Sequence, residues 1–182
     1  SLAADQTVTN DMTGLVVDSV SFTGTNSNYK HFVITGNSIT INSAINDSGD
    51  NVLDVDITLG GDVTMTESSD SLGTSIGIWN GAARTLNTNG HTLSVAGPGA
   101  SCGVGIYAAL SGAGGFSSSL SSFVLFGSAA TSFTGSISAS AGDLLVSNSS
   151  AFGSTNGVTI SGTGSLYLGQ ITTDKSYSFP IT

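Results

Sequence analysis

The sequence predicts an all-β fold, a right-handed parallel β-helix of about seven coils, and three observations carry that expectation. First, helical signals are missing. No window sets apolar residues at i, i+3, i+4 and i+7 among good helix formers, and Ser, Thr and Gly interrupt every stretch. Second, short alternating segments recur roughly every 20 to 30 residues, the period of a solenoid coil. Third, these segments share one plan: a Gly or Asn corner, a short β-branched strand, then another small-residue corner. The plan is visible in GNSITINSAINDSG (36–49), NGHTLSVAGPG (89–99), NGVTISGTG (156–164) and GTGSLYLG (162–169). A β-sandwich is the alternative, because it too is built from many short strands. It would need tight hairpins, for which Asn80-Gly81, Asn89-Gly90 and Asn156-Gly157 are the candidates.

The clearest strand signal is LDVDITLGGDVTMT (53–66). Leu53, Val55, Ile57 and Leu59 alternate with Asp54, Asp56, Thr58 and Gly60, and Val63 and Met65 alternate with Thr64 and Thr66. Period-two alternation buries the first set and leaves the second in water. Gly60-Gly61-Asp62 supplies a bend between two strands. Further strands are expected at 16–22, 32–35, 38–41, 92–95, 105–110, 123–126, 136–138, 143–147, 158–161 and 165–168. The predicted inward set is Ile39, Ile41, Val55, Ile57, Val63, Met65, Leu93, Val95, Leu144, Val146, Val158, Ile160, Leu166 and Leu168.

Composition narrows the class. Only 8% of the residues are charged, against about 25% in ordinary globular domains. Hydrophobic residues make up 38%, enough to build a core, so Ser, Thr, Asn and Gly must cover the surface. Such a surface suits an extracellular β-rich protein. The net charge is −9, and the basic residues Lys30, Arg84 and Lys175 are scattered. Nucleic acid and anionic membrane surfaces are therefore not expected partners. Cys102 is the single cysteine, so it forms no intrachain disulfide, and it reads as a small buried residue. No apolar run approaches the roughly 18 residues of a membrane span. The first ten residues lack the basic start and apolar core of a signal peptide. The chain is read as one domain, 1–182, and as a fragment of a longer surface protein.

Two stretches carry a family resemblance. LVVDSVSFTGTNSNYKHFVITGNSITINSAINDSGDNVLDVDITLGGDVTM (15–65) and SFTGSISASAGDLLVSNSSAFGSTNGVTISGTGSLYLG (132–169), joined by NTNGHTLSVAGPG (87–99), are similar to the autotransporter-associated β-strand repeat, also called the passenger-associated transport repeat. Residues 97–122 depart from that pattern. The resemblance implies a secreted β-helical passenger on a bacterial surface. It is informative about architecture and carries no activity.

β-Helices also house polysaccharide-degrading enzymes, so the fold by itself leaves the chemistry to the individual residues. Asp54 and Asp56 share one strand face about 6.6 to 7 Å apart, within the range of a glycosidase carboxylate pair. On an open strand they read as solvated charges. His31 and His91 have no Ser–His–Asp order or nucleophile elbow beside them and read as surface histidines. Asp47-Ser48-Gly49-Asp50 is an oxygen-rich turn that reads as an Asx turn in preference to a calcium loop. The glycine runs 97–105 and 112–115 lack the Lys and following helix of a phosphate loop. Asn46 and Asn148 open formal glycosylation sequons. Trp79 reads as a rim residue, with stacking on a sugar ring as its functional alternative. No catalytic, metal or cofactor-binding residue is assigned.

The expected function is a non-catalytic structural stalk or adhesin segment of a bacterial cell-surface or secreted protein. Its expected partners are glycans, other cell surfaces, or further copies of the chain through the coil ends. The alternatives are a subunit of a self-assembling extracellular filament and a polysaccharide-degrading β-helix enzyme.

Overall fold

The computed structural model describes residues 5–23, 32–68, 73–78, 81–97, 103–130, 132–169 and Ile181. Among them there is no helix, and so none long and apolar enough to cross a membrane.

The chain winds through successive coils of short strands. The first coil holds β1 (Gln6–Asn10) and β2 (Leu15–Phe22), and the second holds β3 (Phe32–Gly36) and β4 (Ile39–Asp47). The third holds β5 (Val52–Leu53), β6 (Ile57–Leu59) and β7 (Val63–Glu67). The fourth holds β8 (Ser75–Ile76), β9 (Thr85–Asn87) and β10 (Leu93–Ala96). The fifth holds β11 (Val104–Ile106), β12 (Ala109–Gly112) and β13 (Phe116–Ser118), and the sixth β14 (Phe123–Phe126), β15 (Ser132–Phe133) and β16 (Ser136–Ala139). A seventh carries β17 (Asp143–Val146) and β18 (Gly157–Ile160), and β19 (Ser165–Leu168) opens the next. Every pairing between these strands is parallel. The fold is therefore a parallel β-helix and not a sandwich.

Three faces enclose the core. The first is a sheet in the order β1-β3-β5-β8-β11-β14-β17-β19. The second and third are joined by β4, which pairs with β6 through Ile39–Ile41 and with β7 through Ala44–Asp47. In the first two coils one strand thus bends across two faces, and the register slips between Val17 and Ser19 where it does so. From the third coil on, the bend becomes a corner. Gly60 and Gly61 form that corner as the sequence predicts: methyl groups there would lie 2.1 Å from Asn42 Oδ1 and 2.5 Å from the Asn42 carbonyl oxygen. Asn89 and Gly90 take left-handed φ of 50° and 84°. They turn the chain from one face to the next, where a sandwich would have used them as a hairpin.

The predicted inward residues line one continuous core for most of their list, with Phe116, Phe126, Phe133 and Phe152 filling its later coils. Ile160 and Leu166 pack against it half-buried, and Leu168 departs from the prediction at 43% exposed. Leu168 ends the last described strand of its sheet, so no described layer closes over it. Two predicted segments are subdivided. Residues 105–110 belong to β11 and β12, with Tyr107 and Ala108 as the corner between faces. Residues 53–66 span β5, β6 and β7, because Asp54, Val55 and Asp56 are a corner and not strand.

Candidate functional site

The three faces differ in what they show to solvent. On the second face, parallel register stacks Thr40, Thr58, Asn87, Ser111 and Ser132 in one column, of which Ser111 is buried. On the third it stacks Thr64, Ser94, Ser117, Ser138 and Thr159, and Ser117 Oγ donates to Ser94 Oγ at 2.9 Å. These are hydroxyl and amide ladders. The outer side of the first face is different in its later coils, where Leu125, Leu145 and Tyr167 stand in register beside Phe123. They line a groove of about 440 Å³ together with Ser147 and Gly169. Tyr167 is 55% exposed. Phe123 lies over Gly103, where a methyl group would come within 2.2 Å of its ring. In the sequence from 103 to 169 Asp143 is the single charged residue, so this apolar strip sits on a nearly uncharged stretch of the chain.

The acidic candidates fall elsewhere. Asp54 is not solvated; it is 7% exposed and accepts two hydrogen bonds from one guanidinium, from Arg84 Nε at 2.9 Å and from Nη2 at 3.0 Å. The bidentate bond and the negative charges of Asp54 and Asp56 hold the Arg84 proton more tightly than usual. Asp56 is exposed and its Oδ1 accepts the Thr85 N–H at 2.7 Å. The two carboxylates therefore do not share a strand face. The alternation that placed both in water holds at Asp56, with Val55, Ile57 and Leu59 buried, and fails at Asp54, which the corner turns inward onto Arg84.

His91 Nδ1 lies 3.8 Å from Asp62 Oδ1, which also accepts the Thr92 N–H at 2.8 Å, in an exposed corner. Asn148 Oδ1 accepts the Ser150 N–H at 2.9 Å, and Asn46 Nδ2 donates to Ser21 Oγ at 3.2 Å. His31, Trp79 and Cys102 lie outside the described residues.

The turn at 47–50 is an Asx turn, with the Gly49 N–H donated to Asp47 Oδ1 at 2.8 Å, but Asp47 itself points into the core. It is 2% exposed, and Glu67, its register partner one coil on, is 0% exposed. Asn51 Nδ2 donates to Asp47 Oδ1 at 2.6 Å and the Phe32 N–H donates to Asn51 Oδ1 at 2.9 Å. The Thr74 hydroxyl sits between the two acids, against Asp47 Oδ2 on one side and 2.7 Å from Glu67 Oε2 on the other. Glu67 Oε2 also accepts the Thr74 N–H at 2.9 Å. Burial pushes the Asp47 carboxyl above its ordinary pKa, outweighing hydrogen bonds from Thr74, Asn51, Gly49 and Ser48 that pull it down.

Neither this buried network nor the Asp54–Arg84 pair was singled out from the sequence. A signal for the first was present: Val63, Met65 and Glu67 continue one period-two series, as do Ile45 and Asp47. Compared with models of protein families, with curated proteins and with solved structures, the chain matches none of them.

Proposed function

We propose that this segment is a non-catalytic stalk or adhesive segment of a bacterial cell-surface or secreted protein. The observation that carries the reading is the contrast between faces. Two sides of the solenoid present stacked Thr, Ser and Asn, a neutral hydrated surface, and one side presents the Phe123, Leu125, Leu145 and Tyr167 strip. A rod with a continuous core keeps its length under load, because each coil leans on its neighbours along the whole axis. The apolar strip is the adhesive contact in this reading, with Tyr167 offering a ring that can stack on a sugar or another apolar face. The resemblance to passenger repeats supports the same reading.

The test is in two arms. Antibodies raised against the folded chain should label intact source cells, and label confined to permeabilised cells refutes the surface placement. On glycan arrays and host-cell monolayers, Tyr167→Ser with Leu145→Ser should lower binding at least several-fold at unchanged stability. Equal binding by the variant removes the strip from the adhesive role.

A filament is the second reading. Val8 and Met12 are exposed on the first described coil, in a groove that Leu15, Val17, Val20 and Ile34 also line, and Val16 is exposed on the outer side of β2 in register with Thr40. Unpaired strand edges with apolar side chains recruit further strands. A sedimentation coefficient that rises with concentration, and falls back on Val8→Lys with Val16→Lys, favours the filament. A monomer at all concentrations removes it.

A further inference from the structure

We propose that Asp47 and Glu67 hold one proton between them, and that this proton ties the second, third and fourth coils together more firmly in mild acid than at neutral pH. Asp47 of β4 and Glu67 of β7 are direct partners on adjacent parallel strands, so their backbones are stacked about 4.8 Å apart with both side chains inward. Two ionised carboxylates at that spacing, out of water, repel strongly.

The bridging hydroxyl sharpens the count. Thr74 Oγ1 carries one hydrogen, and an ionised carboxylate is acceptor only. Thr74 Oγ1 is within hydrogen-bond distance of both Asp47 Oδ2 and Glu67 Oε2. If both acids were ionised, one of these contacts would set lone pairs against lone pairs. A single added proton resolves it: Asp47 Oδ2–H donates to Thr74 Oγ1, and Thr74 Oγ1–H donates to Glu67 Oε2. The proton belongs on Asp47 because Glu67 Oε2 takes the Thr74 N–H as well, and Asp47 Oδ1 is already occupied by Gly49 N–H and Asn51 Nδ2. The upward shift of the Asp47 pKa by burial has the same sign.

The surroundings reinforce this. The elements packed on Asp47 are the end of β2, reached by Ser48 Oγ donating to the Phe22 carbonyl, the 48–51 turn, the end of β7 and the approach to β8. Among the described residues their titratable groups are Asp50 in the turn and Glu67, both acidic.

An acid whose native pKa lies above its ordinary value near 3.8 binds its proton more tightly folded than unfolded. Its stabilising contribution is complete below 3.8 and is lost as pH rises through the native pKa. Within that window the unfolding constant rises up to tenfold per pH unit from this site alone.

The experiment is urea unfolding of the full chain from pH 4 to pH 8, comparing wild type with Asp47→Asn. Asparagine keeps the Oδ1 acceptor and puts an N–H donor where the proton sits. Other carboxylates contribute their own slope to both proteins, so the difference between the two is the readout. Asp47→Asn is expected to gain stability relative to wild type as pH rises, and to be the more stable protein at pH 8. A constant deficit of the variant at every pH overturns the proposal. So does calcium that raises the wild-type midpoint at pH 7 and leaves the variant unmoved, because the site would then hold a cation in place of the proton. Carboxyl-carbon NMR on wild type covers the case of a variant that does not fold. The Asp47 carboxyl should titrate above the ordinary aspartate value, and titration at or below that value overturns the proposal.

Discussion

Phe126 is the residue whose removal should report most directly on how the coils hold one another. It is buried in β14 on the first face, and its ring meets Phe116 from the coil below at 4.9 Å and 74°, and Phe152 from the coil above at 5.0 Å and 83°. The three rings form an edge-to-face chain through three successive coils. Truncating a buried Phe to Ala costs about 3 to 5 kcal/mol from lost transfer energy and the cavity left behind. Phe126 loses two ring contacts at once, each worth about 0.5 to 1.5 kcal/mol, so Phe126→Ala belongs at the upper end, about 4 to 5 kcal/mol. Phe126→Leu keeps most of the buried area and gives up both edge-to-face contacts. Its expected cost is about 1 to 2 kcal/mol.

The assay is urea unfolding followed by far-UV circular dichroism, with hydrogen exchange to locate the loss. A solenoid is coupled coil to coil, so the damage should concentrate where the rings meet. Amides of β13, β14 and β17 should lose protection before those of β4 and β7. A double-mutant cycle of Phe116→Leu with Phe126→Leu should return a coupling of about 0.5 to 1.5 kcal/mol. A cost below about 1.5 kcal/mol for Phe126→Ala, or a cost of Phe126→Leu equal to that of Ala, refutes the ring chain as the link between coils.

Two glycines make a matched pair. A methyl group at Gly135 would sit 1.5 Å from the Gly114 carbonyl oxygen, so Gly135→Ala should cost about 3 kcal/mol by forcing two coils apart, read as a lowered thermal midpoint. Gly90→Ala meets nothing within 4 Å and carries only the strain of φ +84°, so it should cost about 1 kcal/mol in the same assay. Arg84→Ala strands the buried Asp54 carboxylate and should cost about 1 to 3 kcal/mol in chemical denaturation, with Asp54→Asn restoring part of the loss. Asp56→Asn, exposed and singly bonded, should change stability by less than about 0.5 kcal/mol. Equal effects of Asp54→Asn and Asp56→Asn would contradict the placement of Asp54 inside the corner.

The architecture was legible because a solenoid writes its period into the chain. Val63 and Met65, Leu93 and Val95, Leu144 and Val146 each announce an inward pair, and small-residue corners fall between them. Pairing was legible only indirectly. Asn89-Gly90 adopts the left-handed conformation that a hairpin would require, yet β9 and β10 lie on different faces and pair with strands a full coil away. Contacts at such separations leave no local mark. The segment 105–110 shows the same limit, because its apolar and small residues carry no polar break to mark the corner at Tyr107 and Ala108.

The chemistry was hidden for a related reason. Asp47 opens a Ser-Gly turn, and turn composition argues for solvent. The alternation argues the opposite, since Ile45 and Asp47 share one parity and Val63, Met65 and Glu67 share another. Following the period one step further into the acidic residue places both carboxylates inside. What the alternation does not supply is the hydroxyl between them: Thr74 reaches Asp47 from 27 residues away, by way of the corner that starts the next coil. A parallel solenoid therefore displays its core in local pattern and stores its polar exceptions in the coil-to-coil register. A buried acid at an inward parity is the place to look for them. Glu67 and Asp47 satisfy that criterion on consecutive coils, and stacking turns two isolated exceptions into one proton-sharing unit.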